Sequence, residues 1–213
     1  MAHEPADEGG ALVFVLSGPA GVGKTALVSA LRDNEPSMYF CITATTRSPR
    51  VGEQHGRDYY FYTEEEFALH LQEGSLLEHA RVPPTGGRLY GTPRHQIDQA
   101  IRLGRDVFLQ VDVQGARSVR ARIPNAITIF LLPPGAETLR ERLIKRGTEP
   151  TPEMERRLSN ALVELACAEE FDYSVVNDEG KLEEAAERVR GIMRDEHARP
   201  SPRYAVIDPE LGR

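Results

Sequence analysis

Nine residues, Ser17 to Thr25, read SGPAGVGKT, and no other stretch narrows the fold as far. Gly18, Gly23, Lys24 and Thr25 occupy the four fixed places of the spacing G-x-x-x-x-G-K-[ST], with Pro19, Ala20, Gly21 and Val22 between them. Glycines without a Cβ let a loop wrap tightly, so that consecutive backbone N–H groups converge on phosphate oxygens. Lys24 then reaches the outer phosphates. Thr25 opens a helix, which places its hydroxyl to ligate Mg²⁺ and turns the positive end of the helix dipole toward the same anion.

A motif this short recurs by chance, as a glycine turn with one exposed lysine, so its flanks must decide. The preceding residues, Ala11 to Leu16, are continuously apolar, as in a strand buried on both faces of a parallel sheet. Thr25 to Arg32 reads as a helix. Strand, glycine loop and helix follow in the order a phosphate site requires.

Residues 1–10 read as a loose tail, and Asp33 to Ser37 as a turn with a proline stop. Met38 to Ala44 reads as one strand, followed by the arginine-bearing polar loop TTRSPRVGE. Tyr59 to Tyr62 reads as a short strand, Glu64 to Glu73 as a helix with Phe67 and Leu71 on one face, and Ser75 to Val82 as a strand carrying Glu78. PPTGG then forms a loop before Leu89, Tyr90, Gly91 and Thr92. This middle third reads as a small α+β insertion. The βα alternation resumes with a helix over 93–103 and a strand over 107–111 ending in Asp112. An acid there is read first as facing a ligand crevice, with an N-cap as the alternative. Ala126 to Leu132 is a further apolar strand, 136–146 a helix with Arg142 and Arg146 on one face, and Met154 to Phe171 a helix. Tyr173 to Val176 is the last strand, Leu182 to Glu196 the last helix, and from Arg199 the proline-broken end reads as a second flexible tail.

The net charge of −7 argues against broad nucleic-acid binding, so phosphates must be met locally. No apolar run approaches the roughly 20 residues of a membrane span, and the acidic start is unlike a secretory signal, which predicts a soluble cytoplasmic protein without a membrane partner. Cys41 and Cys167 form neither a metal spacing nor a disulfide framework and read as buried thiols, and the histidines show no paired ligand pattern.

Seven pieces in order, GPAGVGKT, TTRSPRVGEQHGRDYYF, LLEHA, YGT, VDVQG, RLIKRGTE and VVND, resemble the guanylate kinase family over Leu12 to Glu196. The resemblance implies an α/β fold: a P-loop NTPase-type parallel sheet flanked by helices, with a core of 11–44 and 93–198, a GMP-binding insertion over about 45–92 and a helical lid over about 146–160. It implies transfer of the γ-phosphoryl group of ATP to GMP, with dGMP as a further acceptor and Mg²⁺ as the cofactor. By the same resemblance Arg47, Arg50, Tyr59 and Tyr90 grip the GMP phosphate, a role that suits guanidinium forks and phenols. Read without it, TTRSPR is equally a solvated basic turn. Glu78 matches the carboxylate that accepts the two parallel donors of guanine, although a strand-face glutamate in solvent is the plainer reading. Thr43, Thr92 and Asp112 match positions beside the base, and Asn177 one near the adenine of ATP. Lys24, Arg47, Arg142, Arg146 and Arg157 match the catalytic cations that balance charge during transfer.

The chain departs from the family pattern at Gln110, where a carboxylate is usual, at Leu89 in place of a tyrosine, at Thr43 in place of a serine, and in a longer loop around Pro83 to Gly87. Three other readings stay in view: a guanylate-kinase-like protein-binding module without catalysis, a phosphokinase acting on a phosphorylated ribose, and a signalling GTPase. The intact phosphate loop speaks against the first, Glu78 and the arginine pair against the second, and the missing N-K-x-D signature against the third.

Overall fold

The computed structural model describes residues 10–82, 87–145 and 152–206; the side chains of Val82, Lys145, 152–154 and Arg157 fall outside that description. In chain order the elements are β1 (Val13–Ser17), α1 (Lys24–Asn34), β2 (Tyr39–Phe40), β3 (Ala44–Thr45), β4 (Tyr60–Phe61), α2 (Glu64–Gln72), β5 (Leu76–Val82) and β6 (Arg88–Pro93). They continue with α3 (Arg94–Arg102), β7 (Val107–Gln110), α4 (Val113–Arg122), β8 (Ile127–Leu132), α5 (Ala136–Lys145) and α6 (Pro152–Leu165). A 3-10 turn (Ala168–Glu170), β9 (Tyr173–Val176) and α7 (Leu182–His197) complete the domain.

β1 is buried along its whole length because it runs parallel between β7 and β8, in a sheet ordered β2-β7-β1-β8-β9. Its alternate residues serve two cores. Leu12, Phe14 and Leu16 meet Leu27 and Leu31 of α1 and Ala185, Val189 and Met193 of α7. Val13 and Val15 meet Ile97 and Ala100 of α3 and Ala116 and Val119 of α4. The helices that follow the neighbouring strands β1 and β7 therefore lie on opposite faces, which opens a crevice beyond the carboxyl ends of those two strands.

The stretch read as one strand over 38–44 is divided between two sheets. Tyr39 and Phe40 pair with β7, while Ala44 and Thr45 pair with β4 and β6 in a second sheet ordered β4-β3-β6-β5. The crossover is held by Gln96, 1% exposed, whose amide accepts from Ile42 N at 2.9 Å and donates to Ile42 O at 2.8 Å. One side chain thus satisfies both backbone groups at the point where the chain changes sheets. The segment after the proline loop is also a strand, β6, antiparallel to both β3 and β5. Pro83, Pro84, Thr85 and Gly86 lie outside the described residues.

Two further readings are corrected. The helix expected over 154–171 runs over Pro152–Leu165, and the 3-10 turn replaces its last stretch. From Arg199 to Val206 the chain folds back on the domain instead of leaving it. Arg203 Nη2 meets the fully buried Glu196 at 2.6 Å, and Ala205 N donates to Ala11 O at 2.8 Å. Glu196 also accepts from Tyr173 at 2.6 Å, so the prolines at 200 and 202 merely turn a segment that charge pairs anchor. No described helix is long and apolar enough to cross a membrane.

Candidate functional site

The glycine loop leaves β1 and enters α1 at the mouth of the crevice. Gly18 sits at φ +145°, and a Cβ there would stand 2.5 Å from Leu131 O, so only glycine lets the loop lie against β8. Lys24 Nζ bends back over the loop, donating to Gly18 O at 2.5 Å and Pro19 O at 3.2 Å. Behind the loop, Asn177 Nδ2 and Arg142 Nη1 both donate to Val22 O, at 2.8 and 3.1 Å, and Arg142 Nη2 donates to Asn177 O at 3.0 Å. Asn177 and Arg142, read from the sequence as near the adenine and over the ATP phosphates, here brace the back of the phosphate loop. Arg146 lies outside the described residues; Arg157 lies on α6 with its side chain outside them.

Lys24 also lines a pocket between the two sheets, together with Thr43, Tyr59, Glu78, Tyr90 and Asp112, all named by the sequence, and with Ala80, Gln110 and Val111. In its wall Glu78, 4% exposed, accepts from Thr92 Oγ1 at 2.7 Å. Burial, opposed by that hydrogen bond and reinforced by the nearby Asp112 charge, pushes the Glu78 carboxyl up to about 7. The carboxylate rests on the first turn of α4, where a Cβ at Gly115 would come within 2.8 Å of Glu78 Oε2. Asp112 makes that turn by accepting from Gly115 N at 2.7 Å, so it is both an N-cap and a pocket wall. Arg122, further along α4, donates to the Leu76 and Leu77 carbonyls and fixes β5 to the helix.

Arg47, 6% exposed, stacks over the pocket-lining Tyr59 and over Phe61, with 5.2 and 5.6 Å from its guanidinium carbon to the ring centres. Tyr90 lies close enough to act on its charge, and the Tyr59 and Tyr90 rings meet edge-on at 6.4 Å. Arg50 is exposed, close enough for its charge to act on Tyr59. The basic turn is therefore organised and not merely solvated.

The sequence reading missed what organises it. Glu53 meets Arg47 Nη1 at 2.8 Å and Nη2 at 2.9 Å, and accepts from Arg50 N at 2.7 Å. The guanidinium beside it holds the Glu53 carboxyl below the usual range. A carboxylate three residues after the second arginine is a signal that the pattern contained. Glu164 of α6, which reaches the loop at Ala20, had no such signal, because nothing local says which face of α6 meets the loop.

Thr25 is the second residue of α1, and Gln110 Nε2 lies 3.5 Å from its hydroxyl. Among the described residues no group of three or more His, Cys, Asp or Glu is placed to hold a metal. A hydroxyl with a neighbouring amide, facing a phosphate loop, fits the sparse protein share of a Mg²⁺ shell completed by phosphates and water. Cys41 and Cys167 are both half-buried, not the fully buried thiols expected; desolvation pushes the Cys41 thiol up, and Cys167 lies 3.5 Å from Arg117 Nη2.

The profile described as Guanylate kinase matches residues 11–196. A guanylate kinase of Leifsonia xyli subsp. xyli is 47% identical over 190 residues, 89% of this chain and 72% of that one. A guanylate kinase of Thermotoga maritima is 44% identical over 187 residues, 88% of each chain. The crystal structure of guanylate kinase from Anaplasma phagocytophilum superposes with a TM-score of 0.73 at 31% identity, covering 95% of this chain and 93% of that one.

Proposed function

The chain belongs to the guanylate kinase family, and we propose on that footing how its own residues carry the phosphoryl transfer from ATP to GMP. The loop of 18–25 takes the ATP phosphates, with Lys24 on the outer ones. The pocket takes GMP with its phosphate toward Arg47, Arg50, Tyr59 and Tyr90 and its base toward Glu78. An oxygen of the GMP phosphate attacks the γ-phosphorus as the bond to the bridging oxygen of ADP breaks. Positioning and charge stabilisation supply most of the effect, and no protein base has to move a proton. Arg146 and Arg157 bring further positive charge to the transferring group, while Arg142 and Asn177 hold the loop in shape, the role their hydrogen bonds favour. Thr25 would hold Mg²⁺, which neutralises phosphate charge when bound.

On the same footing 45–92 is the acceptor-binding unit and about 146–160 the lid, closing to exclude water. The cytoplasm suits two cysteines that form no disulfide. dGMP is a second acceptor, because none of the proposed base or phosphate contacts requires the ribose 2′-hydroxyl.

One observation carries the acceptor assignment: a buried carboxylate, Glu78, lines one pocket with Tyr59, over whose ring Arg47 stacks. Guanine offers N1–H and a 2-amino group side by side, and one ionised carboxylate accepts both. Adenine offers no such pair.

The test follows from the raised Glu78 carboxyl. Guanine needs the ionised form, so affinity for GMP is full above about pH 8 and is lost as the pH falls through the range near 7. Below it the dissociation constant rises by about tenfold per pH unit. The phosphate of GMP titrates near pH 6 on its own account, so calorimetric titrations are run beside Glu78→Gln. The parent protein shows the step near pH 7 and the variant lacks it. The same profile in both would remove Glu78 from the base site.

A further inference from the structure

One acidic side chain faces the phosphate loop and takes no part in the transfer. α6 packs Leu158, Ala161 and Leu165 against Leu139 and Leu143 of α5, a single helical stripe at spacings of three and four. Glu164 stands at the edge of that stripe, so the apolar seam carries it to the loop. Its Oε2 accepts the Ala20 backbone N–H at 3.3 Å, and its charge acts on Lys24 and Asp112, one on each side of the crevice. It is half-buried there.

The N–H groups of a phosphate loop and its lysine are donors arranged for anionic oxygens. A carboxylate oxygen on one of those N–H groups, within the field of Lys24, uses the same donors that nucleotide phosphates need. Its negative charge also opposes theirs at short range. We propose that Glu164 competes with the phosphates of bound nucleotide for this loop and so speeds the release of ADP after transfer. It acts through the loop and touches no reacting atom, which makes it a positioning residue. The inference rests on the loop being the ATP and ADP site.

The test is isothermal titration of ADP and, separately, of GMP into the full chain and into Glu164→Gln and Glu164→Ala. The glutamine keeps the size and an acceptor without the charge; the alanine removes both. Each variant is expected to bind ADP about five- to tenfold more tightly, the scale of a partly screened charge pair, with GMP affinity unchanged. The gain shrinks when the titration is repeated in about 0.5 M salt, because it is a charge effect and not a packing one. ADP affinity that is unchanged or weaker in both variants, with GMP binding intact, overturns the inference. Loss of GMP binding in both overturns it too, since Glu164 is then a support of the fold. Failure of the parent protein to bind ADP strikes the loop assignment itself, a separate outcome.

Discussion

Replacing Lys24 by alanine lowers turnover roughly 10²- to 10³-fold while the protein stays folded, the scale for removing one fixed charge from a transfer site. The fold tolerates the change because Lys24 contributes to neither of the two cores that flank β1. Its ammonium lies over the loop, on the Gly18 and Pro19 carbonyls, and lines the pocket. That placement lets it turn from the carbonyls to a phosphoryl group in flight. Lys24→Arg does not restore the rate, since a planar fork cannot occupy the place of a compact ammonium held on two adjacent carbonyls. The check is a coupled assay of ADP release with a thermal melt of the same sample. Activity within tenfold of the parent, with an unchanged melt, contradicts the assignment.

The second large effect is at Glu78. Glu78→Ala lowers kcat/KM for GMP by about 10²-fold, combining a bidentate base contact of about 1 to 3 kcal/mol with two guanine donors left unpaired in a buried site. Most of the loss falls on KM, because the role proposed for the carboxylate is to read the base. Discrimination against AMP falls with it. Steady-state kinetics with both acceptors measures the split. A variant with unchanged KM for GMP would show that the Glu78 and Thr92 pair is part of the fold and not a reader of the base.

The core was legible because it is periodic. β1, β8 and β9 are short apolar runs bounded by turns, and the loop between β1 and α1 has a spacing that only a few structures satisfy. The junction at Ile42 was not, since Met38 to Ala44 runs from aromatic to β-branched residues with no Gly or Pro to mark the switch. What divides it is Gln96, a residue 54 positions away that captures the Ile42 backbone. The described end of the chain was misread for a related reason: proline spacing announces a broken helix but not the partners, Glu196 and Asp172, that hold Arg203.

Within the site, residue types and order carried far. Thr43, Tyr59, Glu78, Tyr90 and Asp112 were named from the sequence, and they line one pocket with Lys24. The sequence left open whether Asp112 caps a helix or faces ligand; the geometry gives it both places, since the cap bond uses one oxygen at the pocket wall. Burial was not legible. Nothing in the local pattern separates a solvated strand glutamate from one covered by α4, because the cover depends on Gly115 and on Arg122 anchoring β5. Contacts made by an acid with no motif of its own, such as Glu164 on Ala20, require the packed helices to be seen.

Release of ADP from ATP and Mg²⁺, measured with GMP, dGMP, AMP, CMP and UMP as separate acceptors, tests the account at its centre. The pocket geometry predicts turnover with the two guanine nucleotides, and kcat/KM for each of the other three lower by at least about 10²-fold. Comparable turnover with AMP, or none with any acceptor, would contradict the reading of Glu78 and the arginine pair as a guanylate site.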